Sequence, residues 1–468
     1  MSLIDVLLAG AILFAAAWWA FASRRSRRLL QLAPVALAAL VALQLAVEGF
    51  YWQLLPGYVL VLVIVLLSIF RGRETASGGG WLRIAGQAGL VALMLAAIAP
   101  WTLLPPVPEL TRPDGPYAVG TEIFRWVDES RDETTTSEPA DKRNVIVQAW
   151  YPASPGAAGA HSTYIDGLGD LPDQVSLFPS FLMRSYGRID THGILGAPIA
   201  DNQPTWPVVV FSPGFGAPRA FYTGIATGLA SKGYVVLAID HPYEVAVTQL
   251  ADGRIAKAVS DFAEHAGTEE NEHAYMVGKI NTRVADIRFA LDQIARQDIL
   301  GPRLSGHLDL DHIAAIGHSF GGAAAALAMA RDPRIKAAAN IDGTLYGPVS
   351  ATPGPRPFLL LESDHAETGH GEVYEVGNRD FFETFGGGYR YELKRANHFS
   401  FTDAPLFFAP PGRFALSLAI GGSRGPEETQ RATVEMLDAF LRQPLTGTTA
   451  SVEAAAARYK DITGGLVR

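Results

Sequence analysis

No cysteine occurs among the 468 residues. That excludes disulfides and cysteine catalysis and leaves the redox compartment open. Positive charge is not in excess either: 38 Lys and Arg stand against 47 Asp and Glu, a formal net charge of −9. Such a balance implies no nucleic-acid partner. An internal repeat is missing too. Charge is scarcest in the N-terminal quarter, which raises the apolar share of the chain to 49 %.

Four apolar stretches fill that quarter: about Leu3–Ala22, Leu29–Val47, Leu54–Phe70 and Ile84–Leu104. Each approaches the roughly 20 residues that cross a bilayer, the third at the short end. Arg24, Arg25, Arg27 and Arg28 lie between the first and second, and Arg71, Arg73 and Arg83 between the third and fourth. The second and third are joined by Glu48-Gly-Phe-Tyr-Trp52, aromatic and without a basic residue. The positive-inside rule puts both arginine loops in the cytoplasm and everything after about Pro105 outside. No basic segment precedes the first stretch, which favours an anchor over a cleaved signal peptide. Glu48 sits at the end of a span, whereas a transport pathway needs charge within one. The expectation is a multi-pass anchor over residues 1–105 in the cytoplasmic membrane, carrying a catalytic domain (106–445) on the extracytoplasmic side. Trp101 and Pro105-Pro-Val-Pro108 mark the interface and a stiff linker.

Beyond the linker, short apolar runs alternate with helical patterns, as in a mainly parallel α/β sheet. Tyr117–Val127 and Val145–Tyr151 read as strands with a polar hairpin loop, Asp128–Arg143, between them. Pro152–Thr205 has no clear period and reads as an insertion near the site. Val208–Phe211 and Tyr234–Ile239 are buried strands flanking a helix, Phe221–Lys232. Asp261–Glu272 is acidic and reads as a solvated loop or lid. Met276–Gln297 carries an apolar stripe, with Arg283/Asp286 and Arg288/Asp292 at pairing distance on its surface. Three further strands follow: Ile335–Ile341, Pro357–Leu361 and Tyr389–Leu393. Pro426–Arg442 closes the domain as a helix, and the tail from Pro444 (446–468 as a separate segment) is expected to be weakly ordered apart from a short helix.

The chemistry is concentrated at Gly317-His-Ser-Phe-Gly-Gly322. A strand, Ile313–Ile316, enters this Gly-x-Ser-x-Gly turn, and an alanine-rich helix, Ala323–Arg331, leaves it. Strand, tight turn and helix are the context in which such a serine is presented as a nucleophile. A serine hydroxyl is a poor nucleophile near neutrality; it needs a histidine to take its proton and a carboxylate to hold that histidine. Ser319 is the candidate nucleophile. His398, after the last of these strands, is the candidate base. His318 is expected to point away and to pack. The acid is Asp342, after the first strand beyond the serine, or Asp364, after the second; local pattern leaves both open. The oxyanion needs two backbone N–H donors. Phe320, directly after the serine, is one. Phe215, in the loop Ser212-Pro-Gly-Phe-Gly216, is the other. His365 and His370 fall in a Gly- and acid-rich loop without ligand geometry, so no metal is expected, and this chemistry needs no cofactor.

Val147-Gln-Ala-Trp-Tyr-Pro152, Phe211-Ser-Pro-Gly-Phe-Gly216, the Ser319 turn, Asn340-Ile-Asp-Gly343 and His398-Phe-Ser-Phe-Thr-Asp403 together resemble the lipase-like platelet-activating factor acetylhydrolase family. The resemblance covers roughly Tyr117 to Arg442 and leaves out the apolar quarter. It implies an α/β-hydrolase fold, an acid close behind the nucleophile (hence Asp342) and hydrolysis of short or oxidised acyl esters of phospholipids. The expectation is therefore a membrane-anchored serine esterase acting on a small-molecule or lipid ester. Rival readings are a polyester (cutinase-like) hydrolase, a peptidase or amidase on the same fold, and a catalytically inactive membrane sensor or assembly protein.

Overall fold

The computed structural model describes residues 3–21, 27–70, 80–138, 140–170, 180–259, 268–346 and 355–468. The chain forms two compact units, Met1–Pro108 with Phe407–Ala415, and Glu109–Leu406 with Leu416–Arg468.

In the first unit four helices follow one another: α1 (Leu3–Phe21), α2 (Arg27–Val47), α3 (Leu55–Phe70) and α4 (Gly80–Leu103). Leu8, Ile12, Leu37, Leu60, Ile64 and Leu90 form their common core. Phe14, Leu32, Val35, Ile69, Ile84 and Leu95 point outward and are exposed. Among the described residues one helical stretch, Ile84–Leu103, is long and apolar enough to cross a membrane, and 12 % of its most apolar window is buried within the protein. The other three apolar helical stretches are shorter: Leu3–Ala15, Leu32–Val47 and Trp52–Leu66. Four full spans therefore remain an expectation of the sequence. Arg24, Arg25, Arg71 and Arg73 lie outside the described residues. Besides Glu48, an ionisable residue lies in the first turn of α1, Asp5. This residue is buried in α1, within 3.4 Å of Gln44 Nε2, while Tyr58 donates to Gln44 Oε1 at 2.7 Å.

The second unit is built on a ten-stranded sheet. Its strands are β1 (Ala118–Asp132), β2 (Lys142–Ala153), β3 (Gly193–Leu195), β4 (Trp206–Ser212), β5 (Val235–Asp240), β8 (Leu308–His318), β9 (Ile335–Ile341), β10 (Phe358–Ser363), β11 (Gly388–Leu393) and β12 (Ile462–Val467). The order is β12-β11-β10-β9-β8-β4-β5-β2-β1-β3, and β6 (Val247–Gln249) with β7 (Ile255–Lys257) forms a separate hairpin. From β5 through β4, β8, β9 and β10 to β11 every neighbouring pair is parallel. Strands covered on both faces can be apolar without alternation; Val208–Phe211 and Ile313–Ile316 are such runs and are fully buried. One face packs on the Glu269–Ala295 helix through Ile280, Val284, Ile287, Leu291 and Ile294. The other packs on the Thr223–Ser231 and Pro426–Thr446 helices through Ile225, Leu229, Met436, Leu437 and Phe440.

Four expectations are corrected. The polar hairpin connection is shorter than Asp128–Arg143, because β1 and β2 run on into paired Asp132 and Lys142. The tail is ordered: β12 pairs antiparallel with β11 from Gly388↔Val467 to Leu393↔Ile462. Arg283 and Asp286 are not a surface pair but are fully buried with other partners, and Arg288 and Asp292 meet Asp332 and Arg334 instead. The stretch holding His365 and His370 is not a plain loop, since it holds the short helix His365–Thr368 and leads into the helix Glu372–Phe385. In the acidic lid segment, 261–267 lies outside the described residues, and Glu269 already begins a helix.

Candidate active site

β8 ends at His318, and Ser319 turns the chain into the Phe320–Arg331 helix with φ 56° and ψ −128°. A non-glycine residue in that region costs about 1–3 kcal/mol and persists only when its surroundings enforce it. Here they do. Ser319 N–H donates to Ile341 O at 2.7 Å, pinning the turn to the end of β9. A Cβ on Gly317 would lie 2.3 Å from Gly321 O, and one on Gly321 would lie 2.1 Å from Ser212 O. Both positions must be glycine for strand and helix to close this tightly.

Asp342 follows β9, also at positive φ (55°). Asn340 clamps this turn, accepting from Gly343 N–H at 3.0 Å and donating to Gly343 O at 2.7 Å. The buried Asp342 carboxylate receives four hydrogen bonds. Ser363 N–H (2.8 Å) and His370 Nε2 (2.9 Å) reach Oδ1; Ser363 Oγ (2.8 Å) and His398 Nδ1 (2.7 Å) reach Oδ2. Burial alone would push its pKa up. The hydrogen bonds and charges of His370 and His398 outweigh burial and hold it far below the usual carboxylate range.

His398 opens a short 3-10 turn, His398–Phe401, fixed by a capping box between Asn397 and Ser400. Asp364 lies elsewhere. It caps the His365–Thr368 helix, accepting from Ala366 N–H at 3.0 Å and from Arg395 N–H at 2.8 Å. The structure thus brings Asp342 to His398 and leaves Asp364 to backbone donors and to Lys394 Nζ at 3.6 Å.

His318 does more than pack. Its Nε2 donates to His398 O at 2.9 Å, Tyr222 O–H donates to its Nδ1 at 2.9 Å, and Gly214 N–H donates to Tyr222 Oη at 3.0 Å. This relay needs the neutral ring. Burial, then the adjacent His398, lowers the His318 pKa to about 3 and keeps it neutral. The His318 and His398 rings lie 4.5 Å apart, so the turn carrying Ser319 is held directly against the histidine.

The Ser212–Gly216 loop faces the same turn: a Cβ on Gly214 would lie 3.4 Å from Ser319 Cβ. Gly214 N–H is engaged by Tyr222, and Ala217 N–H by Gly214 O at 3.3 Å. Phe320 N–H, first in its helix, has no intrahelical acceptor. The Phe215 and Phe320 rings meet edge-on at 5.8 Å. Buried Arg283 braces the loop. It donates to Pro213 O and, at 3.3 Å, to Gly214 O, is held by Glu244 at 2.7 Å, and lies 4.9 Å over the Phe320 ring.

A second serine–histidine–carboxylate line runs beneath. Ser212 Oγ lies 2.9 Å from His241 Nε2, and His241 Nδ1 lies 2.8 Å from Asp286, which Arg143 grips at 2.6 and 3.1 Å. All three members of that line are fully buried, and Ser212 sits in strand backbone. No substrate carbonyl reaches it; it is a strut under the loop. Sequence reading missed it, as it missed Arg283, Tyr222 and Ser363. The available signals were Ser212 at the end of an apolar strand, His241 just after another, and Asp286 beside the apolar stripe of the Glu269–Ala295 helix.

The family model for platelet-activating factor acetylhydrolase, isoform II, matches residues 108–449. A probable 1-alkyl-2-acetylglycerophosphocholine esterase of Arthroderma benhamiae is 28 % identical over 297 residues, covering 58 % of this chain and 68 % of that one. The platelet-activating factor acetylhydrolase of Cavia porcellus is 24 % identical over 282 residues, 54 % of this chain and 60 % of its own length, so the match spans less than two thirds of that relative. A ferulic acid esterase from Streptomyces cinnamoneus superposes with a TM-score of 0.63 at 27 % identity, covering 76 % of this chain and 99 % of its own. The fold is that of an α/β-hydrolase, and the chain belongs to the platelet-activating factor acetylhydrolase, isoform II, family of carboxylic ester hydrolases.

Proposed function

We propose that this chain is a membrane-held serine esterase that cleaves lipid or other small carboxylic esters through Ser319, His398 and Asp342. The observation that carries the reading is the 2.7 Å bond from His398 Nδ1 to a buried, four-fold hydrogen-bonded Asp342, against a strained turn that presents Ser319. Bound through Nδ1, His398 keeps Nε2 for the serine proton. Ser319 Oγ attacks the ester carbonyl and His398 takes its proton. The oxyanion rests on Phe215 and Phe320 N–H, and His398 returns the proton to the leaving alcohol. Water, deprotonated by the same ring, then frees the acid from Ser319.

Tethering favours esters that reside in or near a membrane. The apolar outer faces of α1–α4 and the arginines placed between alternate spans support a bilayer anchor with the catalytic unit on the extracytoplasmic side. Relatives named for acetyl-phospholipid hydrolysis point to a short acyl group. A second reading, an aromatic acyl ester, is favoured by the ferulic acid esterase likeness and by the cluster of Phe215, Phe320 and Tyr346. Hydrolysis of p-nitrophenyl esters from acetate to palmitate, of methyl ferulate and of p-nitroanilides by the detergent-solubilised full chain separates these. A kcat/KM highest for acetate, and no anilide cleavage, is expected. A preference for methyl ferulate selects the second reading, and anilide cleavage at ester rates contradicts both.

A further inference from the structure

At the outer end of β10, beside the proposed acid, the structure gathers Glu362, His365 and His370, each offering a donor atom within 4.8 Å of the others. His365 Nε2 lies 3.4 Å from Glu362 Oε1. The His365 and His370 rings meet edge-to-face at 4.5 Å. We propose that these three residues form a binding site for a divalent transition-metal ion of the zinc class.

A second observation is independent of the clustering. The His370 side chain is 94 % buried, and its Nδ1, fully shielded from solvent, has no hydrogen-bond partner among the described residues. A buried, unpartnered ring nitrogen is unfavourable, and a metal ion would supply its missing partner. The other nitrogen, Nε2, donates to Asp342 Oδ1 at 2.9 Å. That is the arrangement by which a carboxylate fixes a metal-bound histidine: it holds the tautomer, aims the free nitrogen and raises its basicity. Tyr374 stacks on the ring at 4.0 Å and sets its plane.

Charge points the same way. Asp342, Glu362 and Glu375 contribute three negative charges. Arg390, bonded to Glu362 at 2.7 and 2.8 Å and to Glu375 at 2.9 Å, is the fixed cation among them. A divalent ion neutralises the excess. Both oxygens of Glu362 already accept from Arg390, and each keeps a lone pair for the ion. Two imidazoles and one carboxylate suit zinc or cobalt rather than calcium or magnesium. His365 is partly exposed, which leaves an entry path and a position for water.

The test is calorimetric titration of Zn2+ and of Co2+ into chelator-stripped full chain in detergent, with thermal unfolding measured alongside. The proposal expects one ion per chain and a higher melting temperature with zinc. In His365→Ala, whose exposed side chain does not endanger folding, affinity should fall at least about tenfold and the zinc-dependent rise should vanish. His370→Ala should behave alike. Absence of binding, or binding undiminished in His365→Ala, overturns the proposal. The readout is independent of ester hydrolysis, so its failure would leave the esterase reading untouched.

Discussion

Tyr222 and His318 show how single side chains hold this site. Tyr222→Phe removes one oxygen and breaks the relay at both ends, leaving Gly214 N–H and His318 Nδ1 without partners. A loss of about 1–3 kcal/mol in stability and a lower kcat at similar KM are expected, read by denaturant titration and p-nitrophenyl acetate kinetics. Asp342→Asn should cost roughly 10^3–10^4-fold in kcat, because the tautomer of His398 is no longer enforced. Asp364→Ala should cost about 0.5–2 kcal/mol of stability as a lost helix cap and little kcat. Equal losses of kcat in the two would contradict the assignment. His370 supplies a pH test. Burial alone would lower its pKa, but Asp342 beside it wins and raises it above the ordinary histidine value. The contribution is therefore complete below the ordinary value near 6.5 and fades as pH rises through the higher folded value. With chelator present, the melting-temperature gap between wild type and His370→Ala should shrink as pH rises above the ordinary histidine value; a gap that widens contradicts the pairing. At this scale the sequence was partly legible. Ser319, Asp342 and His398 stood after strands in the order the chemistry uses. Arg283, His370 and Ser363 were hidden because their partners are distant in the chain, and nothing local marks a long-range hydrogen bond.

Among elements, the strands carrying the site were legible because burial on both sheet faces makes them continuous apolar runs. β12 was not. Its Ile-Thr-Gly-Gly-Leu-Val has two glycines at its centre, and propensity argues against a strand there. Tertiary pairing with β11 overrides it, and Gly464 fits because a Cβ would lie 2.1 Å from Arg390 O. Removing residues 460–468 uncovers the β11 edge and the buried Leu393, and Ile462 goes with them. A loss of at least about 2 kcal/mol is expected from one large apolar side chain and its ladder bonds. Unfolding midpoints of full-length and truncated chains decide it; identical midpoints mean the strand contributes nothing. The Glu372–Phe385 helix escaped notice for a different reason. Its buried Tyr374, Asn378, Phe381, Phe382 and Phe385 do follow helical spacing, but Gly377 and flanking glycines obscure it.

For the whole molecule, we propose a membrane anchor joined to an esterase. The anchor rests on composition and on arginine asymmetry, and it makes its own prediction: a reporter fused at the C-terminus that works only outside the cytoplasm should be active, and one that works only inside should be silent. The reverse pattern contradicts the topology. The central claim is that Ser319, and not Ser212, which meets His241 but is sealed from solvent, is the nucleophile. A fluorophosphonate probe incubated with the full chain, followed by peptide mapping, tests it most directly. The account predicts one adduct, on Ser319, lost in Ser319→Ala together with p-nitrophenyl acetate hydrolysis. An adduct on Ser212, no adduct at all, or a Ser319→Ala variant hydrolysing at the wild-type rate would contradict it.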